Sequence, residues 1–485
     1  MAGARVPQAA DDPISALPPV MADEAEAVAA PLTHLESLPG GSISRQVWVL
    51  ALPMLGEQIG SFLVGMVDVW LAGWLSKEAT GAVGTGGYMS WFTMLAFTLV
   101  STGAAALVAR CFGARDFRTA KRALNQSLVL ALLLGVPVSV LVYVLAPPMA
   151  DLFSQTDAAR GLFTTYVRID ALGYAAFGAL LICGAVLRAA GDTRSPMLIM
   201  LAVNVLNPLV SAALVFGWLG LPRLGVTGIA LGTVAARWLG GGLIILVLAR
   251  GLHGLRLEWR ELWPDAAILR RILRVGLPAA GDAGLLWAGQ LFFLLIIVHT
   301  ATGDASTVNY AAHMIAMRME AISYLPAVAW ATAGATLVGQ YLGAGSKQLA
   351  ARSGHVAALQ TAGLTTLIGL SFFTLAELIF RGMSNDPAVW AVGTPAFRLL
   401  AFIQPFLGVA IVYTAVLRGA GDTRVTMVFS LIGSFLLRIP VAYLCGIVLG
   451  GGLIGAWIGM WADNLAKCLL GLGRFLHGGW QRVKV

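Results

Sequence analysis

A chain of 485 residues that is 58% hydrophobic and only 12% charged, with a mean hydropathy of +0.81, cannot cover a water-soluble surface, where about 25% charged residues is usual. Lipid accepts an apolar exterior, so the composition specifies a membrane protein, and 57 glycines suit helices that pack closely there. The net charge of +8 is scattered over short loops, which gives no reason to expect a nucleic-acid partner, and Cys111, Cys183, Cys445 and Cys468 are too isolated to form a disulfide framework.

Residues 1–44 hold six acids against the single base Arg5 and lack the basic start and apolar core of a signal peptide. They read as a disordered N-terminal tail. Beyond them, twelve windows have the roughly 20 mostly apolar residues a spanning helix needs: 47–75, 80–109, 123–146, 163–186, 196–220, 226–249, 273–301, 309–341, 355–380, 393–417, 425–449 and 453–473. Pro53, Pro137, Pro208, Pro278, Pro326 and Pro440 supply kinks or helix starts. The expected fold is all-α, with an N-terminal six-helix lobe over 45–249 and a C-terminal six-helix lobe over 273–475. Residues 250–272, rich in Arg, Trp and Leu, read as a linker helix lying in the membrane interface, and 476–485 as a short tail. Loops on one side carry most of the bases, against only Lys77, Arg160, Arg168, Arg223, Arg381 and Arg398 on the other. The positive-inside rule then places both termini in the cytoplasm.

The chain repeats itself. Leu187–Arg194 (LRAAGDTR) returns as Leu417–Arg424 (LRGAGDTR), and Leu107–Ala114 (LVARCFGA) as Leu337–Ala344 (LVGQYLGA), both offset by 230 residues. Leu52–Glu57 (LPMLGE) matches Leu277–Asp282 (LPAAGD) at an offset of 225. Three ordered matches specify a duplicated six-helix unit, and an even number of spans makes the two copies parallel, with a cavity between them. Arg188 and Arg418 fall at helix ends, where a cation suits the dipole. Gly191 and Gly421 suit the residue after a helix, and Asp192 and Asp422 the cap of the next one. These are mainly structural clips, with a part in a cytoplasmic gate as the alternative.

These blocks, with Leu52-Pro53 and Val67–Gly73 (VDVWLAG) in the first helix and Ala312–Glu320 (AHMIAMRME) in the eighth, resemble the bacterial branch of the multidrug and toxic compound extrusion (MATE) family over residues 45–475. The resemblance implies a V-shaped antiporter in the bacterial inner membrane. Such a protein exports small cationic or amphipathic organic compounds against inward protons or sodium, without a cofactor, and is expected to be monomeric.

Charges inside spans cost roughly 2.5–3.5 kcal/mol near a helix centre, so they are functional candidates or structural pairs. They are Glu57, Asp68, Asp282, Glu320, Glu377 and Asp463, with Arg237, Arg318 and Arg438. Asp68 has only apolar neighbours in sequence and leads as the ion-coupling group; the resemblance maps the family's first-helix coupling acid onto it. Glu57 lies eleven residues before it on the same helix face, about 16 Å away along the axis. It reads either as a cation entry point or as a solvated interfacial acid. Asn204 and Asn207 stand in the fifth helix, Asn207 where some proton-coupled relatives have a carboxylate. Asn207 is open between ligating a cation, bonding Asp68 and a plain interhelical hydrogen bond. Asp282, His313 and Glu320 are candidates for the second lobe's substrate cavity, with a structural polar cluster the alternative. The tenth helix has no Asp or Glu, which leaves the family's sodium site in that lobe incomplete and favours protons. Aromatics such as Phe62, Trp70, Tyr88, Trp91, Phe92 and Trp330 offer a surface for flat cations. No metal-ligand spacing, nucleophile elbow or P-loop points to an enzyme or to direct ATP drive. A channel fits a two-lobed duplication poorly, and a lipid-linked oligosaccharide flippase of a related superfamily is the nearest rival.

Overall fold

The structure, a computed structural model, describes residues 41–153, 156–252 and 254–483. The expected tail therefore falls mostly outside the described residues. Among the described residues twelve helical spans follow one another: α1 (Ile43–Gly73), α2 (Lys77–Gly113), α3 (Phe117–Phe153), α4 (Asp157–Ala171 continued by Tyr174–Ala189), α5 (Arg194–Phe216) and α6 (Val226–Arg250). The second six are α7 (Ala266–Val298), α8 (Asp304–Gly343), α9 (Lys347–Met383), α10 (Pro387–Gly419), α11 (Thr423–Val448) and α12 (Gly452–His477). Ten are long and apolar enough to cross a bilayer, and α4, bent by 51° at Leu172–Gly173, makes an eleventh. The remaining one, α12, carries Asp463, Lys467 and Arg474, and the first two of these are ion-paired to each other.

The duplication is built into the helix boundaries. Thr156 Oγ1 accepts the Ala159 N–H at 3.2 Å to start α4, and Asp386 Oδ1 accepts the Ala388 N–H at 2.9 Å to start α10. These caps, at 156 and 386, share the 230-residue offset. At the far ends of the same two helices, Gly191 (φ 96°) and Gly421 (φ 88°) take the left-handed conformation. This lets Asp192 N–H reach Leu187 O at 3.0 Å and Asp422 N–H reach Leu417 O at 2.8 Å, the bond pattern that closes a helix end.

Packing is lobe-specific at one end and shared at the other. Val47, Ala51 and Met54 of α1 are buried with Ala333, Leu337 and Tyr341 of α8 in one cluster. Ile268 and Ile272 of α7 are buried with Leu107 and Leu187 of the first half. The first turns of α1 and α7 thus cross onto the opposite lobe. At the other end, one cluster draws only on the first half, including Leu71, Phe163 and Ile229, and another only on the second, including Phe293, Phe397 and Trp457. The lobes therefore meet at the end holding Ile43 and Trp480, which share a cluster, and diverge at the other as a V. Along the diverging half of α1, Phe62, Leu63, Met66 and Trp70 are exposed.

The linker differs from the expected interfacial helix. α7 begins at Ala266, seven residues before the expected 273, and the described residues of 251–265 form a Leu252–Leu255 bridge and one tight turn at Trp259–Glu261. Gly251 and Gly254 at positive φ and Pro264 interrupt any helix. Side chains of α3 hold it instead: Gln126 Nε2 donates to Glu261 O and Trp263 O, both at 2.8 Å, and Gln126 Oε1 accepts Asp265 N–H at 2.9 Å. Lys121 pairs with Glu258 at 2.9 Å, a bond that holds the Glu258 carboxyl below its ordinary value. Gln126→Ala removes three hydrogen bonds and is expected to cost about 2 kcal/mol. Faster tryptic cleavage at Arg256 or Arg260 in the purified protein checks this.

Candidate ion-coupling and substrate sites

In the first lobe the 51° bend of α4 decides the site. It leaves the Asp170 carbonyl at a helix end, where Arg237 of α6 donates to it at 3.2 Å and to Asp170 Oδ1 at 2.7 Å. Ser90 of α2 donates to Asp170 Oδ2 at 3.0 Å and accepts from Arg237 at 3.3 Å. The guanidinium also lies over Tyr174 and Phe177, 5.1 Å from each ring centre. Asp170 is thus a neutralised, fully hydrogen-bonded acid.

Asp68 beside it is not. It is buried on α1, and its Oδ1 has no hydrogen-bond partner among the described residues. Its carboxyl interacts with Thr233 and Asn207, and feels both Asp170 and Arg237. Asn207 Nδ2 donates to Thr233 Oγ1 at 3.2 Å, and Ser211 Oγ donates to Asn207 Oδ1 at 3.4 Å. The carboxylate thus faces an amide and a hydroxyl, with the Ser211 hydroxyl behind the amide, groups that can donate to it or turn an oxygen toward a small hard cation. Asn204 is elsewhere, against Gly60 of α1.

Glu57 does not join Asp68. It forms an ion pair with Arg188 at 3.0 Å, tying α1 to the end of α4. Asp282, its counterpart in the repeat, pairs with Arg418 in the same way and is fully buried. Asp282, like Glu57, is thus held by an ion pair to the end of the fourth helix of its half. Asp192 Oδ1 caps α5, accepting from Arg194 N–H at 3.1 Å and Ser195 N–H at 3.0 Å, whereas Asp422 departs from its twin and accepts from Arg474 Nε of α12 at 2.9 Å.

The second lobe has its own charge centre. Arg438 of α11 contacts Asp463 at 2.6 Å and Gln290 at 3.0 Å, and Lys467 contacts Asp463 at 2.7 Å and Ser434 at 3.0 Å. Here α11 widens into π-helical turns over Leu431–Arg438, a feature often found at functional sites. Arg438 lies in electrostatic reach of both His313 and Glu320. His313 sits edge-on between Phe293 and Trp457. Trp330 is buried and donates to Gln360 at 2.9 Å. The side chains of Tyr88, Trp91 and Phe92 lie outside the described residues. Between the lobes, near their closed end, lies a cavity of about 500 Å³ bordered by Glu57, Met94, Thr98, Arg188, Thr336 and Arg418.

Sequence reading missed Asp170 and Lys467. Both lie inside the predicted spans 163–186 and 453–473, and each places a charge in an apolar window, the same signal that marked Arg237 and Asp463. Among the described residues, no group of three or more His, Cys, Asp or Glu is placed to hold a metal ion.

Two parallel six-helix lobes, joined at one end and carrying buried charges in each, are the architecture of a secondary transporter. The MatE family model matches residues 53–213 and 285–444. The chain is 30% identical over 447 residues to the "Probable multidrug resistance protein NorM" of Thermotoga maritima, covering 91% of this chain and 94% of that one. It is 29% identical over 410 residues to the "Multidrug resistance protein PmpM" of Pseudomonas aeruginosa, covering 83% and 84%. In fold it is similar to a MOP superfamily transporter from Pyrococcus furiosus, with TM-score 0.82 at 20% identity, covering 92% of this chain and 98% of that one. It is similar also to VcmN of Vibrio cholerae in its bent form, with TM-score 0.82 at 19% identity, covering 90% and 97%. The chain belongs to the MatE family, the multidrug and toxic compound extrusion transporters.

Proposed function

We propose that the protein is an antiporter of the inner membrane, both termini cytoplasmic, that exports small organic cations in exchange for protons taken up at Asp68. The observation that carries this reading is the contrast within the first lobe. Asp170 is matched by Arg237, while Asp68, also buried, has an oxygen without a hydrogen-bond partner among the described residues. An acid held in a polar shell but left unpaired is a group whose charge can change during a cycle. The absence of acids from α10 supports protons over sodium.

In the second lobe, Glu320 offers a negative group for a cationic substrate. Its carboxylate makes no hydrogen bond among the described residues, and Arg438 lies in electrostatic reach of it. The names of the relatives, multidrug resistance proteins, support export of small molecules. Purified protein in proteoliposomes should take up a fluorescent organic cation in response to a pH gradient of matching sign and ignore a sodium gradient. Uptake that follows sodium alone overturns proton coupling. Movement of a lipid-linked oligosaccharide without any response to drugs favours the flippase.

A further inference from the structure

We infer that the duplicated helix-end turns form a reciprocal latch that locks the two lobes at their closed end, with Arg110 and Gln340 as its paired donors. The carbonyls of a helix's last turn have no donors within the helix, so the ends of α4 and α10 each present acceptors. Both are met from the opposite lobe. Arg110, at the end of α2, donates from Nη2 to Ala420 O at 2.8 Å, just after α10. Gln340, on α8, donates from Nε2 to Ala189 O at 2.9 Å, at the end of α4, and Thr336 one turn earlier donates to Arg188 O at 3.3 Å.

Arg110 and Gln340 are 230 residues apart, the repeat offset. The helices bearing them touch with the same symmetry: Gly113 lies against Gln340 O and Gly343 against Arg110 O, with no room for a Cβ at either. The Arg110 and Gln340 donors and the two glycine contacts are thus answered across the halves, as at a two-fold interface, while Thr336 acts on one side alone, its counterpart being Ala106.

Each turn is held rigidly within its own lobe, by Glu57–Arg188 in the first and by Asp282–Arg418 and Asp422–Arg474 in the second. The ion pairs fix the carbonyls, and the other lobe's side chains bind them. The cavity between the lobes is bordered by Arg188, Ala189, Thr336, Arg418 and Gly419, so the latch forms its floor. Opening this end to admit cargo requires both sets of bonds to break, and a molecule in the cavity touches the groups that decide it. A ligand shifts such an equilibrium through its differential affinity for the two forms. The inference rests on the alternating-access reading above, but its test needs neither substrate nor gradient.

The test uses spin labels at positions 118 and 348, exposed at the starts of α3 and α9, in the full chain with its four cysteines replaced by alanine. Electron-electron resonance in nanodiscs reads the distance between the lobes. The parent should show mainly the short distance. Arg110→Ala/Gln340→Ala should raise the ratio of separated to latched molecules about tenfold. The exchange Arg110→Gln/Gln340→Arg keeps a donor at each position and should return the distribution toward the parent. If the double alanine variant does not fold, Thr336→Val/Gln340→Leu, which removes only the α8 donors, replaces it with the same expectation. A folded donor-less variant whose distances superimpose on the parent overturns the latch. So does an exchange variant that behaves like the double alanine. A transport assay that fails while these distances shift as expected counts against the antiporter reading and not against the latch.

Discussion

Asp68→Asn should abolish gradient-driven export while the protein stays folded and monodisperse. The side chain is buried, one of its oxygens has no partner among the described residues, and Asn207 and Thr233, which bond it, are neutral. Asparagine has nearly the same shape and keeps an oxygen and a donor for that shell. It removes a buried charge that no cation pairs directly, so stability should hold or rise slightly. What it removes is the second charge state. A transported ion drives alternation only through its different affinity for the two conformations, and a side chain that cannot titrate offers a proton no such difference. Substrate binding should survive within a few fold, because the cationic substrate is assigned to the other lobe. Export by the variant equal to the parent's under the same pH gradient would remove Asp68 from the coupling step.

What could be read in the sequence follows from what leaves a linear trace. Hydropathy and the 230-residue repeat specify twelve spans and two lobes, because each helix must satisfy its backbone internally and stay apolar. The clip residues Gly191 and Gly421 were legible because their roles are local, set by a backbone at positive φ. Asp192 and Asp422 show the limit of that logic: the same local motif caps a helix in one half and pairs with Arg474 in the other. Partner choice across helices leaves no such trace. Glu57 and Asp68 share a helix face in the sequence, yet Glu57 is claimed by Arg188 from α4. Asp170 and Arg237 meet because α4 bends at Leu172–Gly173, and nothing in the local pattern announces that bend. Nor does composition show that the starts of α1 and α7 cross to the opposite lobes, since their apolar residues suit either neighbour.

Arg237→Gln should be the most destabilising single change among these charges. Asp170 is 1% exposed, and the guanidinium bonds its carboxylate, its carbonyl and Ser90 at once. Removing one partner of a buried pair leaves the other charge uncompensated, which typically costs about 3–5 kcal/mol. Here the cost is raised by Asp68, a second acid in the same site. The arginine also closes the end of the first α4 segment and lies over Tyr174 and Phe177, so packing is lost with the charge. The double variant Asp170→Asn/Arg237→Gln takes both charges away and restores a neutral hydrogen-bonding pair, and replacing both partners is far less costly than orphaning one. Thermal unfolding in detergent should therefore rank the parent first, the double variant next and Arg237→Gln last, with Asp68→Asn beside the parent. An Arg237→Gln protein that melts with the parent would mean that the Asp170 pair does not hold α4 and α6 together. The bend in α4 would then need another cause.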